Sequence, residues 1–229
     1  MSGSQDDLKR VESLLVWAGM GKDAARTAAQ TLLARYGSLA PLFEAAPEDL
    51  AETGLVTPNG AALLHLIPQI AAYTARDEAS SVRRADTFQK AAKVLRPLFI
   101  GSQVEKNGIL CLDGDGTVLF SGILQEGTVD ETPFYLRHVL EALLRCRAQA
   151  AVLCHNHPSF SPKPSRDDIE TTRVCLNALA DLGIAMPDHI IFAGRQAVSI
   201  RESGLISEAE FCRGSLCEPL MRGWLGGGT

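Results

Sequence analysis

Apolar positions divide the chain into a helical first part and a second part of mixed pattern. In the first part, apolar residues recur about every 3.6 positions and breakers are few, which predicts helices. The predicted helices cover residues 5–17, 22–36, 39–45, 47–52 and 60–76. We therefore expect a small all-helical domain, which we place at residues 1–76.

In the second part, short apolar runs alternate with longer amphipathic segments. The predicted elements are a helix at 85–98, strands at 108–113 and 117–127, a helix at 133–147, a strand at 148–156, a helix at 166–183 and strands at 184–194 and 197–203. The sequence Gly-Asp-Gly at 114–116 predicts a tight turn between the first two strands. Such alternation is typical of an α/β or α+β sandwich.

The segments on either side of this sandwich have a less regular pattern. Residues 75–86 are polar and charged, so we expect a linker and a leading helix at 77–99, before a folded domain at 100–206. The last part, 207–229, ends in Trp-Leu-Gly-Gly-Gly-Thr. We expect it to be a mobile C-terminal tail.

The composition is that of a folded protein, and the sequence pattern indicates in which cellular compartment it is expected. Hydrophobic residues make up 46% of the chain and charged residues 21%. No apolar run reaches the length of a membrane-spanning helix, and the polar start lacks the apolar core of a secretion signal. We therefore expect a cytoplasmic protein that does not bind a membrane.

The six cysteines do not suggest a disulfide framework. None of them forms a Cys-x-x-Cys pair, and the chain is long for a disulfide-stabilised scaffold. Cys111 and Cys154 lie in apolar, strand-like runs, where a buried thiol acts as a small hydrophobic group. For Cys212 and Cys217, near the end of the chain, a metal or redox role remains an alternative.

Charge is unevenly distributed. The net charge of −5 gives no general support for binding to nucleic acid. Residues 1–80 hold six basic and ten acidic residues, whereas residues 81–104 hold five basic residues and one acidic residue. We interpret the basic stretch as a solvated helix face, with contact to a phosphate or an acidic partner as the alternative.

The strongest chemical signal is the segment at 155–168, which reads His-Asn-His-Pro-Ser-Phe-Ser-Pro-Lys-Pro-Ser-Arg-Asp-Asp. His155 and His157 end an apolar strand, and alternation along a strand puts their side chains on one side. Asp168 could supply a third ligand, which would leave one position of a tetrahedral zinc site open, as in catalytic sites. Ser165 and Asp168 also have the spacing of a helix-capping pair, and capping is compatible with ligation.

A zinc hydrolase also needs a base that takes a proton from water. Glu105 is our candidate because it immediately precedes the first strand of the second domain. Glu126 and Glu131, near the end of the second strand, are alternatives, and spacing alone does not decide among the three. The contiguous His-Asn-His is no evidence for an HNH nuclease, whose motif residues are dispersed.

The segment at 155–172 resembles the signature of the RadC family, a bacterial branch of the JAMM (MPN+) metallopeptidases. Residues 105–113, 126–130 and 188–191 are similar to further segments of that family, and the likeness covers roughly residues 85–203. It implies a JAMM, cytidine deaminase-like fold. This is a three-layer α+β or α/β sandwich with a mixed sheet, here preceded by a small all-helical domain.

The resemblance also implies a zinc-dependent hydrolase that cleaves peptide or isopeptide bonds. The Zn²⁺ ligands would be His155, His157 and Asp168. Glu105 would be the general base and then the acid, and Ser165 would help to stabilise the developing oxyanion. The expected partner is a peptide or protein substrate.

His189 is a tempting additional ligand, but it lies in an apolar strand. In the family pattern, Asp188 and His189 resemble a pair that supports the site from behind the ligands. We therefore predict a core histidine with satisfied hydrogen bonds.

The chain departs from the family pattern at three positions near the site. Phe160 replaces a glycine, Leu136 replaces a proline and Asp130 replaces an asparagine. None is an implied ligand, so zinc binding should survive. The bulky ring of Phe160 is expected to narrow the cleft and to affect the choice of substrate.

The first domain resembles the helix-hairpin-helix region of the same family, mainly at 32–52. Its hairpin reads Gly54-Leu55-Val56, without the second glycine that lets backbone amides approach a phosphate. A protein-binding or structural role is therefore favoured over DNA binding. Two alternatives to hydrolysis remain: a non-catalytic adaptor of DNA repair or replication, and a metal-dependent nuclease. Nuclease sites usually carry several carboxylates.

Overall fold

The structure is a computed structural model, and it describes residues 2–102, 104–127, 132–213 and 218–225. Contacts between backbone positions group the chain into two compact units, Met1–Thr74 and Ala75–Thr229. Each unit has an apolar core of its own. Within the described part of the chain, no helix combines the length and the apolar character needed to cross a membrane.

The first unit consists of helices, as predicted. They are α1 (Ser2–Trp17), α2 (Lys22–Tyr36), α3 (Leu39–Glu44), α4 (Pro47–Glu52) and α5 (Pro58–Ser80). Buried leucines from several helices form its core, including Leu15, Leu32 and Leu64. The last helix continues to Ser80, past the predicted end at residue 76.

The second unit contains the predicted strands and helices in the predicted order. They are α6 (Phe88–Leu95), β1 (Lys106–Leu112), β2 (Val118–Glu126), α7 (Thr132–Cys146), β3 (Ala150–Asn156), α8 (Arg166–Asp181), β4 (Ala185–Ala193) and β5 (Gln196–Ser199). Two short helices follow, α9 (Glu208–Phe211) and α10 (Glu218–Leu225).

The five strands form one mixed sheet in the order β2-β1-β3-β4-β5. The pair β3–β4 is parallel, whereas the other three pairs are antiparallel. A parallel pair needs a crossover connection, and α8 provides it between β3 and β4. The start of α8 therefore lies near the edge of the sheet where β3 ends, and the helix runs back to the edge where β4 begins.

Helices cover both faces of this sheet. On one face, α6 and α10 pack against strand residues such as Leu110 and Phe192. On the other face, α7 and α8 pack against residues such as Leu153 and Ile191. Both β3 and β4 are buried along their whole lengths, as central strands covered on both sides should be. The predicted three-layer sandwich is confirmed.

The stretch predicted as a linker, within 77–99, is part of the folded second unit and not a solvated spacer. Arg84 forms a β-bridge with Thr117, and the amide of Ala85 donates to the carbonyl of Gly116 at 2.8 Å. Ala85 is fully buried. The side chains of Arg83, Arg84 and Lys90 are exposed while the backbone of this stretch pairs with the β1–β2 turn, which explains the polar appearance of the sequence.

The prediction of a mobile tail is wrong for the described residues beyond 206. Three side chains of α10 are buried against the sheet, those of Leu220, Met221 and Trp224. The buried guanidinium of Arg201, just after β5, donates to the carbonyl of Trp224 at 3.0 Å. The prediction rested on the glycines at the end of the sequence. It did not take account of these apolar residues, which recur at helical spacing.

Cys111 and Cys154 are free and buried, which confirms the prediction that they act as small apolar groups. Burial raises the pKa of the Cys111 thiol to about 12, and the neighbouring Cys146 adds to this effect. Cys212 is free and exposed, while Cys217 lies outside the described residues.

Candidate metal centre

Strand β3 ends at the candidate site, and His155 is its penultimate residue. His155 is opposite Asn107 on β1 and Ile191 on β4, so its backbone is paired on both sides. The residue is 1% exposed, and its side chain faces the layer formed by α7 and α8. The position of this imidazole is therefore set by the central strands.

His157 lies just beyond β3, at the start of the Pro-rich loop that leads to α8. Its amide donates to the carbonyl of Phe192 at 2.8 Å, which extends the contact with β4 by one residue. Its ring nitrogen Nδ1 lies 2.7 Å from the carbonyl oxygen of Ser161. Because a carbonyl only accepts, Nδ1 carries a proton, and in the neutral ring the lone pair is therefore on Nε2.

Asp168 lies in the first turn of α8, where a capping box holds it. The hydroxyl of Ser165 accepts from the amide of Asp168 at 3.0 Å, and Oδ2 of Asp168 accepts from the amide of Ser165 at 2.7 Å. The predicted capping pair is confirmed. This cap also orients the carboxylate, whose Oδ1 is turned towards the histidines.

The three side chains converge at short distances. His155 Nε2 lies 3.0 Å from His157 Nε2 and 3.1 Å from Asp168 Oδ1, and His157 Nε2 lies 3.4 Å from Asp168 Oδ2. In the described part of the chain, this is the group of histidine, cysteine and carboxylate side chains whose donor atoms could hold a metal ion.

The donor set fits a zinc ion. Tetrahedral zinc with bonds of about 2.0–2.2 Å keeps neighbouring ligand atoms about 3.3 Å apart. The observed separations of 3.0 to 3.4 Å are close to that value. Two imidazole nitrogens and a carboxylate oxygen are common zinc ligands, and acceptor atoms so close together need a cation or protons between them.

The electrostatics of the cluster agree with this requirement. Hydrogen bonding to the Asp168 carboxylate raises the pKa of His157, and the charge of Glu105 contributes to the increase. Burial alone would raise the pKa of Asp168, but hydrogen bonds from His155 and His157 outweigh it and hold that pKa well below its usual range. The site therefore favours positive charge at its centre.

Glu105 lies beside the cluster, and its position depends on Asn156. The Asn156 side chain accepts from the amide of Lys106 at 2.8 Å and donates to the carbonyl of Val104 at 3.1 Å, so it holds the backbone on both sides of Glu105. The Glu105 carbonyl in turn accepts from the amide of Gly127 at 2.7 Å. The half-buried Glu105 side chain is near enough to His157 to affect its pKa.

The other glutamates predicted as alternatives differ from Glu105. Glu126 is mostly exposed and forms an ion pair with Lys106 at 2.7 Å. Glu131 and Asp130, together with the rest of 128–131, lie outside the described residues. Among the described candidates, Glu105 is the one whose charge acts on the cluster.

Sequence reasoning gave no role to Asn156 and Thr172. Asn156 stands between the two histidines, and alternation along the strand turns its side chain away from them, towards the segment that holds Glu105. Thr172 is one helical turn after Asp168 and contacts His189, which in turn contacts His155. Their signals in the sequence were a polar residue in a buried strand and a hydroxyl four positions after a ligand candidate.

Phe160 has an unusual backbone conformation, with a φ of 58°. This left-handed region suits glycine and is costly for a bulky residue. The ring packs on Gly194 in the β4–β5 turn, where an added Cβ would lie 2.9 Å from Phe160 Cδ1. The loop that carries His157 is thus braced against the neighbouring turn by an aromatic contact.

Comparison with known families agrees with this geometry. The family model of the RadC-like JAB domain matches residues 85–205, more than half of the chain. The matched part contains the whole sheet and every residue of the cluster. The chain therefore belongs to the family of RadC-like JAB domain proteins.

Proposed function

We propose that this protein is a zinc-dependent hydrolase of the JAMM type that cleaves peptide or isopeptide bonds. The observation that carries the proposal is the convergence of His155, His157 and Asp168 within 3.0 to 3.4 Å at the end of a buried strand. Three protein ligands leave a fourth tetrahedral position for a reactant, which distinguishes catalytic from structural zinc sites.

Each ligand candidate belongs to a separately supported segment. His155 is in β3, His157 is in the loop and Asp168 is in the capped start of α8. When bound there, a zinc ion would polarise a substrate carbonyl and lower the pKa of a water molecule to about 7. The membership in the RadC-like JAB family supports this chemistry at this place in the fold.

Glu105 is the proposed proton carrier. It would accept the proton of the attacking water and then donate it to the leaving nitrogen, as a general base and acid. Its proximity to His157 supports this role, and the hydrogen bonds of Asn156 to the flanking backbone keep its segment in place.

Ser165 is the proposed donor to the carbonyl oxygen of the substrate. Its oxygen accepts from the amide of Asp168, so its own hydroxyl hydrogen is available to another acceptor. The residue is exposed and lies next to the carboxylate of the cluster. A hydrogen bond that strengthens as the oxygen becomes negative would lower the barrier.

The first test is metal content. The purified full-length protein should retain about one zinc ion per chain, measured by plasma mass spectrometry. His155→Ala should lose the metal, whereas His138→Ala, a histidine of α7 outside the cluster, should keep it. A wild-type protein that takes up no zinc when it is offered in slight excess would contradict the proposal.

The second test separates the proton carrier from the ligands. Zinc-loaded protein would be incubated with a mixed peptide library and with peptides acylated at a lysine side chain, and new termini would be identified by mass spectrometry. Glu105→Gln should keep its zinc and lose cleavage by at least 100-fold. Glu126→Gln, the matched change at the carboxylate paired with Lys106, should cleave like the wild type.

The same pair of variants separates hydrolysis from a non-catalytic adaptor role. A non-catalytic adaptor would keep its binding function in Glu105→Gln, because the change preserves the size of the side chain and the bound metal. A metal-dependent nuclease is less well supported, since the cluster contains one carboxylate where such sites usually have several.

A further inference from the structure

Behind the cluster, two buried residues form a chain of hydrogen bonds that ends on His155. Thr172 Oγ1 lies 2.5 Å from the main-chain carbonyl of Asp168 and 2.7 Å from His189 Nδ1. His189 Nε2 lies 2.9 Å from His155 Nδ1. Thr172 is fully buried and His189 is 2% exposed, so solvent does not compete for these contacts.

The direction of every hydrogen bond in this chain follows from one carbonyl group. The carbonyl of Asp168 can only accept, so Thr172 must donate its single hydroxyl hydrogen to it. Thr172 Oγ1 must then accept from His189, and Nδ1 of His189 carries the hydrogen. A neutral imidazole has one donor and one acceptor, so Nε2 of His189 accepts from Nδ1 of His155.

We propose that Thr172 and His189 are positioning residues that hold His155 in the tautomer with hydrogen on Nδ1, so that the lone pair of Nε2 is directed into the cluster. His157 reaches the same state by donating from Nδ1 to Ser161. The inference rests on the proposed function for its use in catalysis, but the hydrogen on Nδ1 of His155 is expected with or without a bound metal.

The chain also links two ligand candidates from different layers of the fold. It starts at the backbone of Asp168 in α8, crosses β4 through His189 and ends on His155 in β3. The carboxylate of Asp168 lies 3.1 Å from Nε2 of the same His155, which closes a ring of contacts. Groups that hold a ligand from behind in this way typically affect metal affinity by about 10–100-fold.

The tautomer can be read directly in solution. The full-length metal-free protein, labelled with ¹⁵N in its histidines, would be studied at pH 8 by long-range ¹H–¹⁵N correlation. Both His155 and His189 are expected to carry hydrogen on Nδ1. A spectrum in which Nδ1 of His155 carries no hydrogen would overturn the proposal, and this measurement needs neither a variant nor any hydrolytic activity.

Three variants test whether Thr172 sets this state. Thr172→Val keeps the shape of the side chain and removes the hydroxyl, and it should weaken Zn²⁺ binding by about 10–100-fold in competition with a chelator. Thr172→Ser should restore affinity to within about threefold and should restore the wild-type tautomer. Thr171→Val, the same change at the half-buried preceding position, is the matched control and should bind zinc normally.

Failure of this inference is distinguishable from failure of the proposed function. If Thr172→Val binds zinc as the wild type does and the His155 tautomer is unchanged, the positioning role is refuted even if the protein is a hydrolase. If the wild type binds zinc and shows the expected tautomer but cleaves no peptide or isopeptide bond, the positioning role holds and the proposed function fails.

Discussion

His155 and His157 are two residues apart, yet they are held in different ways. His155 is in a central strand, and its ring contacts a buried histidine behind it. His157 is in a loop, and its ring donates to a loop carbonyl. We call these the core side and the loop side of the cluster. The His155 ring depends on tertiary packing, whereas the His157 ring is oriented by a contact within its own loop.

The difference indicates a division of roles within one short motif. On the core side, the sheet fixes the position of the Nε2 lone pair of His155. Removing the residues that hydrogen-bond behind His155 should therefore alter zinc affinity. The loop side lies next to the open part of the site, where the exposed fraction of the side chains is larger. Changes there should alter stability and substrate choice more than the ligand set itself.

The largest expected effect comes from Asp168, which contacts both sides. Asp168→Asn should reduce zinc affinity by more than about 100-fold, beyond the loss caused by supporting groups. The amide oxygen can still accept from Ser165, so the variant should fold. Asp167→Asn, an exposed neighbour, is the matched control for chelator competition. Equal affinities in the two variants would contradict the assigned ligand set.

Asn156, which lies between the two histidines and holds the segment of Glu105, offers the next test. Asn156→Ala removes both hydrogen bonds to the backbone that flanks Glu105, and a displacement of about 1 Å can cost about 100-fold in rate. Zinc content should not change, since the ligand candidates remain. Asn156→Asp keeps the acceptor for Lys106 and should be intermediate in kcat. Loss of zinc together with activity would show that Asn156 supports the cluster itself.

The loop side predicts a pH dependence of zinc binding. The pKa of His157 is raised, so below that pKa its ring holds a proton that a metal must displace. Apparent affinity should therefore fall about tenfold per pH unit as pH decreases below it, and level off above it. Chelator competition between pH 5.5 and 8.5 measures this slope. In Asp168→Asn, the transition should move to lower pH, because the carboxylate that raises the pKa is gone.

The smallest expected effect is on the free energy of unfolding of Phe160 variants. These variants test whether the left-handed backbone at Phe160, on the loop side, is strained. Phe160→Gly and Phe160→Ala both remove the ring, but only glycine relieves the left-handed conformation. Unfolding in urea should show Phe160→Gly to be more stable than Phe160→Ala by about 1 kcal/mol. At Ser159, whose φ is not positive, the order should reverse, because glycine has more conformational freedom to lose on folding. The same order at both positions would exclude backbone strain at Phe160.

Much of the fold could be predicted because it depends on local periodicity. The apolar spacing of α2 and the fully buried runs of β3 and β4 are visible in the sequence without knowledge of tertiary contacts. The histidine pair and Asp168 were also visible, and the structure brings them together, although their role as ligands remains a prediction. The mixed character of the sheet was predicted only from the family resemblance, and the order of its strands came from the structure.

The remaining features depend on contacts between distant segments. The role of Asn156 requires residues 50 positions earlier in the chain, and His189 meets His155 through the parallel register of β3 and β4. The packing of α10 depends on a sheet face that is completed elsewhere in the chain. No local pattern specifies such pairings, so the roles of Asn156 and Thr172 had to come from the structure, whereas His189 was predicted as a supporting residue from the family resemblance.

The buried contacts of α10 have a practical consequence for work with fragments of this protein. The family match ends at residue 205, but Trp224 and its neighbours cover part of one sheet face. A protein shortened at the end of the match would expose this apolar face to water and would be prone to aggregation. The unit that folds is therefore longer than the segment by which relatives are recognised.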